Sequence, residues 1–202
     1  IGTVRQPQFV ICDIDMLKTL PDHEFRNGLA EIVKAALIGN YKLFKYIESS
    51  KNEIFSENTK LLKQIITESI KVKTEFVGLD ESEAGIRKIL NFGHTFGHAI
   101  ESVYGMTHGE AVSIGIILAL DISIKQFGIN EAIRNRVKNL LNTFNLPDQL
   151  PELDLLKIIS ILRKDKKKSG GDIDFILLKD IGKPTIERIS FDKLESFLQG
   201  RF

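Results

Sequence analysis

The chain has 202 residues, of which 43% are hydrophobic and 27% charged, and its formal net charge is +1. These proportions are ordinary for a globular protein with a substantial core. A net charge so close to zero gives no electrostatic argument for binding nucleic acid or a membrane surface. The single cysteine, Cys12, excludes an internal disulfide and fits a reducing cytoplasm, and we expect it to be buried because its neighbours are apolar.

In chain order, the first predicted element is a β-strand, Gln8–Ile14. A lone strand must pair its backbone groups, and no second strong strand follows until the C-terminal part of the chain. The sequence also opens on Ile1 rather than a methionine. We therefore expect residues 1–15 to be the end of a larger domain whose sheet lies upstream.

Helical periodicity dominates the remainder of the chain. Apolar residues recur at helical spacing in seven segments, namely Asp22–Gly39, Tyr41–Ser50, Glu57–Leu79, Ser82–Val103, His108–Phe127, Asn130–Phe144 and Leu153–Arg163. Asp22 is a plausible N-cap of the first. The pattern then changes to two short strands, Asp172–Leu178 and Thr185–Ile189, with Gly182 and Pro184 between them, and Ser190 precedes a last helix. The sequence predicts a mainly α, multihelical domain of about seven or eight helices with a short C-terminal β-hairpin.

The histidines suggest a metal site. His94 and His98 are four residues apart, so on a helix both rings project from one face, and His108 follows at the start of the next helix. The spacing is not that of the HExxH metalloproteases. Such a pair also occurs by chance in a purely structural role. Gly93 and Gly97 favour a built site, because a helical glycine costs about 1 kcal/mol relative to alanine and indicates close approach to a neighbour or ligand.

Charged residues accompany these histidines. Glu31 lies between core-like residues and is the best carboxylate ligand, although a simple helical ion pair with Lys34 would also explain it. Other polar and cationic side chains could surround an anion: Lys73, Arg87, Asn91 and the lysines of the Asp165–Gly171 loop. The lysine run alone is equally typical of a solvated helix end.

Five segments resemble the 3-dehydroquinate synthases, a family of sugar-phosphate cyclases. They are Leu90–Glu101, His108–Val112, Arg26–Lys34, Asp165–Lys167 with Gly171, and Gln6–Pro21. The resemblance implies that Glu31, His94 and His108 bind a divalent metal, zinc or cobalt. It also implies that His98 is not a ligand but manages protons near the substrate.

The resemblance further assigns the remaining site residues. It implies catalytic roles for Lys34, Arg87 and Asn91 beside His98, and substrate-binding roles for Lys73, Arg26 and a lysine of the Asp165 loop, either Lys166 or Lys167. The implied reaction converts 3-deoxy-D-arabino-heptulosonate 7-phosphate, a phosphorylated sugar acid, to 3-dehydroquinate and phosphate, with NAD as the transient oxidant, in aromatic amino-acid biosynthesis. The implied protein is a cytoplasmic homodimer.

The glycine-rich NAD motif G-x-G-x-x-G is absent from the sequence. We therefore expect residues 16–202 to be the helical metal- and substrate-binding domain, residues 1–15 to join it to an α/β NAD-binding domain upstream, and this chain alone to be inactive. The alternatives are a related cyclase such as 2-deoxy-scyllo-inosose synthase, a metal-dependent alcohol dehydrogenase, and a non-catalytic helical module. The Arg26–Lys34 and Asp165–Gly171 segments argue against the two enzymes.

Overall fold

The computed structural model describes residues 6–56, 58–150, 154–165 and 172–198. Within these ranges the chain forms eight α-helices, two strands and two short 3-10 helices. The α-helices are α1 (Asp22–Gly39), α2 (Tyr41–Ser50), α3 (Thr59–Leu79), α4 (His94–Tyr104), α5 (His108–Phe127), α6 (Glu131–Thr143), α7 (Leu155–Asp165) and α8 (Phe191–Leu198). The strands are β1 (Asp172–Asp180) and β2 (Lys183–Ser190), and the 3-10 helices are Ile14–Thr19 and Ile86–Asn91.

Helix α5 is the centre of the core. Its residues 111–120 are all buried, because the helix packs against α1, α4, α6 and β1 on its different sides. The sequence of this helix is apolar nearly all round, which is typical of a helix buried on every side. None of the helices in the described ranges combines the length and apolar character that crossing a lipid bilayer requires.

The C-terminal hairpin packs on α5. Strands β1 and β2 pair antiparallel, with Ile176 opposite Ile186. The backbone N–H of Leu178 donates to the buried Ser123 Oγ at 3.0 Å, which ties β1 to α5. The hairpin is longer than predicted, and Pro184 lies inside β2 rather than in the turn. This is tolerated because both strands of a two-stranded sheet are edges.

Most helix boundaries agree with the sequence prediction. Helices α2 and α5 begin and end at the predicted residues. Asn58 caps α3 through its side chain, while residue 57 lies outside the described ranges. The predicted N-cap of α1 is wrong by one residue. Pro21 occupies the cap, and the Asp22 carboxylate instead accepts a 2.7 Å hydrogen bond from Arg26 Nε.

The predicted helix Ser82–Val103 is wrong, because the segment is broken near its middle. The 3-10 helix Ile86–Asn91 is followed by a turn at Gly93, whose φ is +79°, and α4 begins only at His94. A side chain is strained at that φ, so glycine permits a break that other residues would resist. The break lets α4 change direction against α5.

The predicted strand Gln8–Ile14 does not form among the described residues. The described residues up to Asp13 form no strand, and Ile14 begins a 3-10 helix. A strand requires a hydrogen-bonded neighbour, and the described ranges offer none to this segment. Cys12 is exposed rather than buried for the same reason.

Candidate metal centre and adjoining cavities

Three helices bring Glu31, His94 and His108 to one point. Glu31 Oε1 lies 3.4 Å from His94 Nε2 and 3.5 Å from His108 Nε2. Within the described ranges these residues form one potential ligand group, whose donor atoms all lie within 4.8 Å of one another. Two donors bound at about 2.1 Å to a tetrahedral ion would lie about 3.4 Å apart, so the spacing fits a shared cation.

The Glu31 carboxylate is unusual in its hydrogen bonding. Oε2 accepts a 2.6 Å hydrogen bond from Lys34 Nζ, whereas Oε1 is buried and has no hydrogen-bond partner among the described residues. A buried carboxylate oxygen without a partner is costly. Because that oxygen faces the two imidazole nitrogens, a cation between them would satisfy all three atoms.

Electrostatics keep Glu31 ionised. Burial by itself would raise the pKa of Glu31, but the His94 imidazole and the Lys34 ammonium outweigh it and lower the pKa to about 2. Burial lowers the pKa of Lys34, and the adjacent Glu31 carboxylate opposes that shift. Glu31 is therefore held as a carboxylate, the form that binds a metal.

Glycines set the spacing of the helices that carry the ligands. A Cβ on Gly115 of α5 would lie 2.0 Å from the carbonyl oxygen of Gly93 and 2.9 Å from the backbone nitrogen of Gly97. A Cβ on Gly109 would lie 2.3 Å from Asn27 Cα of α1. The predicted close approach at Gly93 and Gly97 is thus confirmed, and it places the N-terminal end of α4 against residues 112–116 of α5.

Both histidines of this group, His94 and His108, are oriented through Nδ1. His94 Nδ1 lies 3.2 Å from the carbonyl oxygen of Phe92, and His108 Nδ1 lies 3.2 Å from Glu101 Oε2. Each acceptor favours the tautomer that carries its proton on Nδ1. Nε2 of each ring is then free to bind an ion, and both Nε2 atoms face Glu31.

His98 adjoins this group without belonging to it. Its ring centroid lies 5.3 Å from that of His94 and 6.0 Å from that of His108, and its side chain is exposed. Burial of the ring's inner side, followed by the neighbouring His94 and His108, lowers the pKa of His98. His98 is therefore mostly neutral at pH 7 and can accept a proton from a group in the adjoining space.

Two cavities share three lining residues, Glu83, Asn91 and His94. The first, of about 550 Å³, is largely apolar, and its polar lining residues include Glu31, Lys34, Lys73, Arg87 and Asn91. The second, of about 520 Å³, lies on the His98 side and is lined by residues that include Lys88, Thr95 and Asp174. The metal centre thus has access to two spaces, of which the first carries three of the predicted cations.

A hydrogen-bonded loop presents Arg87 and Asn91 to the first cavity. The Asp80 carboxylate accepts hydrogen bonds from the backbone N–H groups of residues 84, 85 and 87. These bonds, that of Gly85 first, lower the pKa of Asp80. Glu83, at a φ of +59°, accepts a 2.8 Å hydrogen bond from Asn91 Nδ2. Left-handed backbone at a non-glycine residue is a strained feature typical of functional sites.

The remaining predicted residues are not brought to the centre. Arg26 bonds the Asp22 carboxylate and, at 2.9 Å, the Phe144 carbonyl oxygen, and it stacks over the Phe55 ring, so its guanidinium is engaged away from the cavities. Lys166 and Lys167 lie outside the described residues.

Sequence reasoning missed Glu83, Lys88 and Glu101. Only Glu101 carried a usable signal, since it lies two helical turns after His94. Glu83 and Lys88 reach the cavities through the break before α4, which the sequence did not reveal.

Comparison with known proteins defines the class. Residues 28–168 match the family model described as 3-dehydroquinate synthase C-terminal, and the chain belongs to that family. It is 42% identical over 189 residues to the 3-dehydroquinate synthase of Acidithiobacillus ferrooxidans, covering 92% of this chain and 52% of the relative. It is 44% identical over 190 residues to that of Dehalococcoides mccartyi, with the same coverages. The chain spans about half the length of the curated relatives it matches.

Solved structures of similar fold belong to related cyclases. A 2-deoxy-scyllo-inosose synthase, complexed with carbaglucose-6-phosphate, NAD+ and Co2+, superposes with a TM-score of 0.82 at 27% identity, covering 98% of this chain and 57% of that one. The 2-epi-5-epi-valiolone synthase of Streptomyces hygroscopicus, with NAD+ and Zn2+ bound, gives a TM-score of 0.78 at 25% identity, covering 91% and 52%.

Proposed function

We propose that this chain is the metal- and substrate-binding part of a 3-dehydroquinate synthase. The whole enzyme converts 3-deoxy-D-arabino-heptulosonate 7-phosphate to 3-dehydroquinate and phosphate, a step of the shikimate pathway of aromatic amino-acid biosynthesis. Family membership supports this reading. The observation that carries it is Glu31 Oε1, a buried oxygen without a hydrogen-bond partner that faces the Nε2 atoms of two histidines.

The proposed ligands are Glu31, His94 and His108. One carboxylate and two imidazoles with an open position are the donor set of catalytic zinc sites, and cobalt accepts the same donors. When bound, the ion supplies Lewis-acid polarisation and orientation of substrate oxygens. The zinc and cobalt recorded in the two cyclase structures agree with this choice.

The substrate carries a carboxylate and a phosphate. The first cavity is lined by three cations that could bind these groups and also by three carboxylates, Glu24, Glu31 and Glu83. Lys73 and Arg87 line it beside Asn91, and Lys34 reaches it while holding Glu31 Oε2. Arg87 Nη1 donates to the Glu81 carbonyl oxygen at 2.7 Å and its Nε lies 3.9 Å from Glu83 Oε2, so the other N–H groups of the guanidinium are the ones that could bind phosphate or carboxylate oxygens. The predicted substrate-binding residues Lys166 and Lys167 remain candidates by resemblance, whereas Arg26 is better explained as a structural cation.

His98 is the proposed proton carrier. A lowered pKa keeps its imidazole largely neutral at pH 7, and its exposed ring borders the second cavity. General bases work best when their pKa lies near the working pH. The proton lost by the sugar acid during phosphate elimination would pass to this ring. NAD, present in both cyclase structures, is the proposed redox cofactor of the whole enzyme.

A related cyclase activity is the second candidate, because the solved relatives include an inosose synthase at 27% identity. The 3-dehydroquinate synthase reading is favoured by the higher identity of 44% to a curated member. Calorimetric titration of the zinc-loaded chain separates the two. Tighter binding of the heptulosonate phosphate than of glucose 6-phosphate supports the first reading, and the reverse order supports the second.

Metal content tests the core of the proposal. Elemental mass spectrometry of the purified chain should give about one zinc or cobalt per chain. Glu31→Ala, His94→Ala and His108→Ala should each lose the ion, whereas His98→Ala, on the same helix as His94, should retain it. Retention in the three ligand variants, or loss in His98→Ala, would contradict the proposed ligand set.

A cytoplasmic location and a homodimeric assembly of the whole enzyme are proposed on family resemblance. The presence of a single cysteine in the sequence fits a reducing compartment. Sedimentation equilibrium of the full-length enzyme would test the assembly, and a mass of one protomer at micromolar concentration would exclude the dimer.

A further inference from the structure

We propose that Glu101 is a positioning residue for the metal centre, which holds the His108 imidazole in its ligand orientation. The inference rests on the proposed metal-binding function and adds a residue to it. Glu101 Oε2 lies 3.2 Å from His108 Nδ1, while Nε2 on the opposite side of the ring lies 3.5 Å from Glu31 Oε1. The imidazole therefore bridges two carboxylates, one on each nitrogen.

The two ligand histidines differ in how much the protein constrains them. The His94 side chain is 11% exposed and is held by packing and by the backbone carbonyl of Phe92. The His108 side chain is 44% exposed, at the first residue of α5. Because packing restrains His108 on fewer sides, the hydrogen bond from Nδ1 has a larger share in fixing its ring.

Helix geometry couples the two ligands through Glu101. Glu101 follows His94 by two turns of α4, so both side chains leave the same face of that helix. Helix α4 thus supplies one ligand directly and orients the ligand of α5 through Glu101. The close contact of α4 with α5 at Gly115 keeps the Glu101 carboxylate within reach of His108.

A carboxylate acceptor such as that of Glu101 constrains an imidazole ring more strongly than a backbone carbonyl does. A carboxylate binds an imidazole N–H more strongly than a carbonyl does, fixes the tautomer, and makes the opposite nitrogen a better donor to a cation. Loss of such an outer partner weakens metal binding by about 10- to 100-fold in comparable sites. Glu101 would exert this effect without touching substrate or ion.

Zinc affinity of the chain tests the proposal, measured by competition with a chromophoric chelator. Glu101→Ala should weaken zinc binding by about 10- to 100-fold. Glu101→Gln should weaken it less, because its amide oxygen can still accept from Nδ1. Glu68→Ala is the matched control, since Glu68 is also a partly exposed helical glutamate, paired with Lys71 at 2.6 Å on α3.

Two further measurements separate positioning from a general structural effect. The visible absorption bands of the cobalt-loaded chain report ligand geometry and should shift in Glu101→Ala but not in Glu68→Ala. The urea midpoints of the metal-free variants should agree with that of the unmodified chain. Zinc affinity and cobalt bands unchanged in both Glu101 variants would overturn the inference while leaving the metal centre intact. An unmodified chain that binds neither ion would overturn the metal centre, and the inference with it.

Discussion

Replacement of Gly115 by alanine would test whether the contact between α4 and α5 holds the candidate ligands together. A Cβ at this position would lie 2.0 Å from the Gly93 carbonyl oxygen, 1.0 Å short of the 3.0 Å below which Cβ contacts are essentially never found. The obstructing atom is backbone rather than a flexible side chain. The two helices must therefore separate by about that distance.

Two energetic effects oppose each other in Gly115→Ala. Alanine favours a helix over glycine by about 1 kcal/mol, whereas overpacking of a core costs about 1–3 kcal/mol. Because backbone can yield only by moving a whole helix, we expect the cost to prevail and the free energy of unfolding to fall by about 1–2 kcal/mol. Metal sites tolerate ligand displacements of only about 0.2 Å, so zinc affinity should fall by about ten-fold or more.

The matched control is Gly28→Ala in α1, three residues before Glu31, where a Cβ would meet nothing within 4 Å. It gains helix propensity without obstruction, so its free energy of unfolding should rise by up to about 1 kcal/mol, and its zinc affinity should not change. Urea unfolding of the metal-free chains and zinc competition measure both quantities. If Gly115→Ala and Gly28→Ala have the same free energy of unfolding and the same zinc affinity, the close contact of α4 with α5 is not what brings the candidate ligands together.

Three other perturbations have definite expected outcomes. The hydrogen bond from Arg136 lowers the pKa of Glu48 below its value in the unfolded chain. The ionised Glu48 therefore stabilises the fold at neutral pH, and this stabilisation is lost as pH falls through the acidic range. Glu48→Gln should flatten the pH dependence of the urea midpoint in that range. Ser123→Ala leaves the buried N–H of Leu178 without its acceptor and should lower the free energy of unfolding by about 1–3 kcal/mol, measured by urea titration; no loss would mean that water replaces the hydroxyl. Asp80→Ala should speed hydrogen exchange at the backbone N–H groups of residues 84, 85 and 87, which donate to the Asp80 carboxylate. Unchanged exchange at these three positions would show that other contacts hold the loop.

The spacing of apolar residues predicted the ends of those helices whose boundaries depend on local sequence alone. The apolar character of His108–Phe127 and the helical spacing of apolar residues in Tyr41–Ser50 predicted both ends of α5 and α2. The break at Gly93 escaped prediction because a glycine inside a helical pattern has the same appearance whether it is helical or at positive φ. Gly93 also packs against Ile116 of α5, which is distant in sequence, so closely that a Cβ would lie 2.7 Å from Ile116 Cγ1. The N-terminal strand failed similarly, since pairing requires a partner that periodicity does not identify.

For the candidate site too, local spacing predicted part of the arrangement, and the rest depended on how the helices pack. Helical spacing grouped His94 with His98, and the structure does bring the two rings to 5.3 Å. It could not tell which of them faces Glu31, because that depends on the direction in which α4 meets α1. Resemblance to a family supplied the choice of His94. The orienting role proposed for Glu101 needed the distance to His108, which only the folded chain provides.

The distribution of Glu31, His94 and His108 over three helices has a consequence for chain entropy. Glu31 is far from the two histidines in sequence, so an ion bound to all three acts as a reversible cross-link that closes a long loop. Long loops lose the most conformational freedom when closed, and a ligand that binds only the folded form stabilises it by mass action, by about 2.7 kcal/mol at one hundred times its dissociation constant. If the proposed ion binds, the resistance of this domain to unfolding becomes a function of the free metal concentration around it.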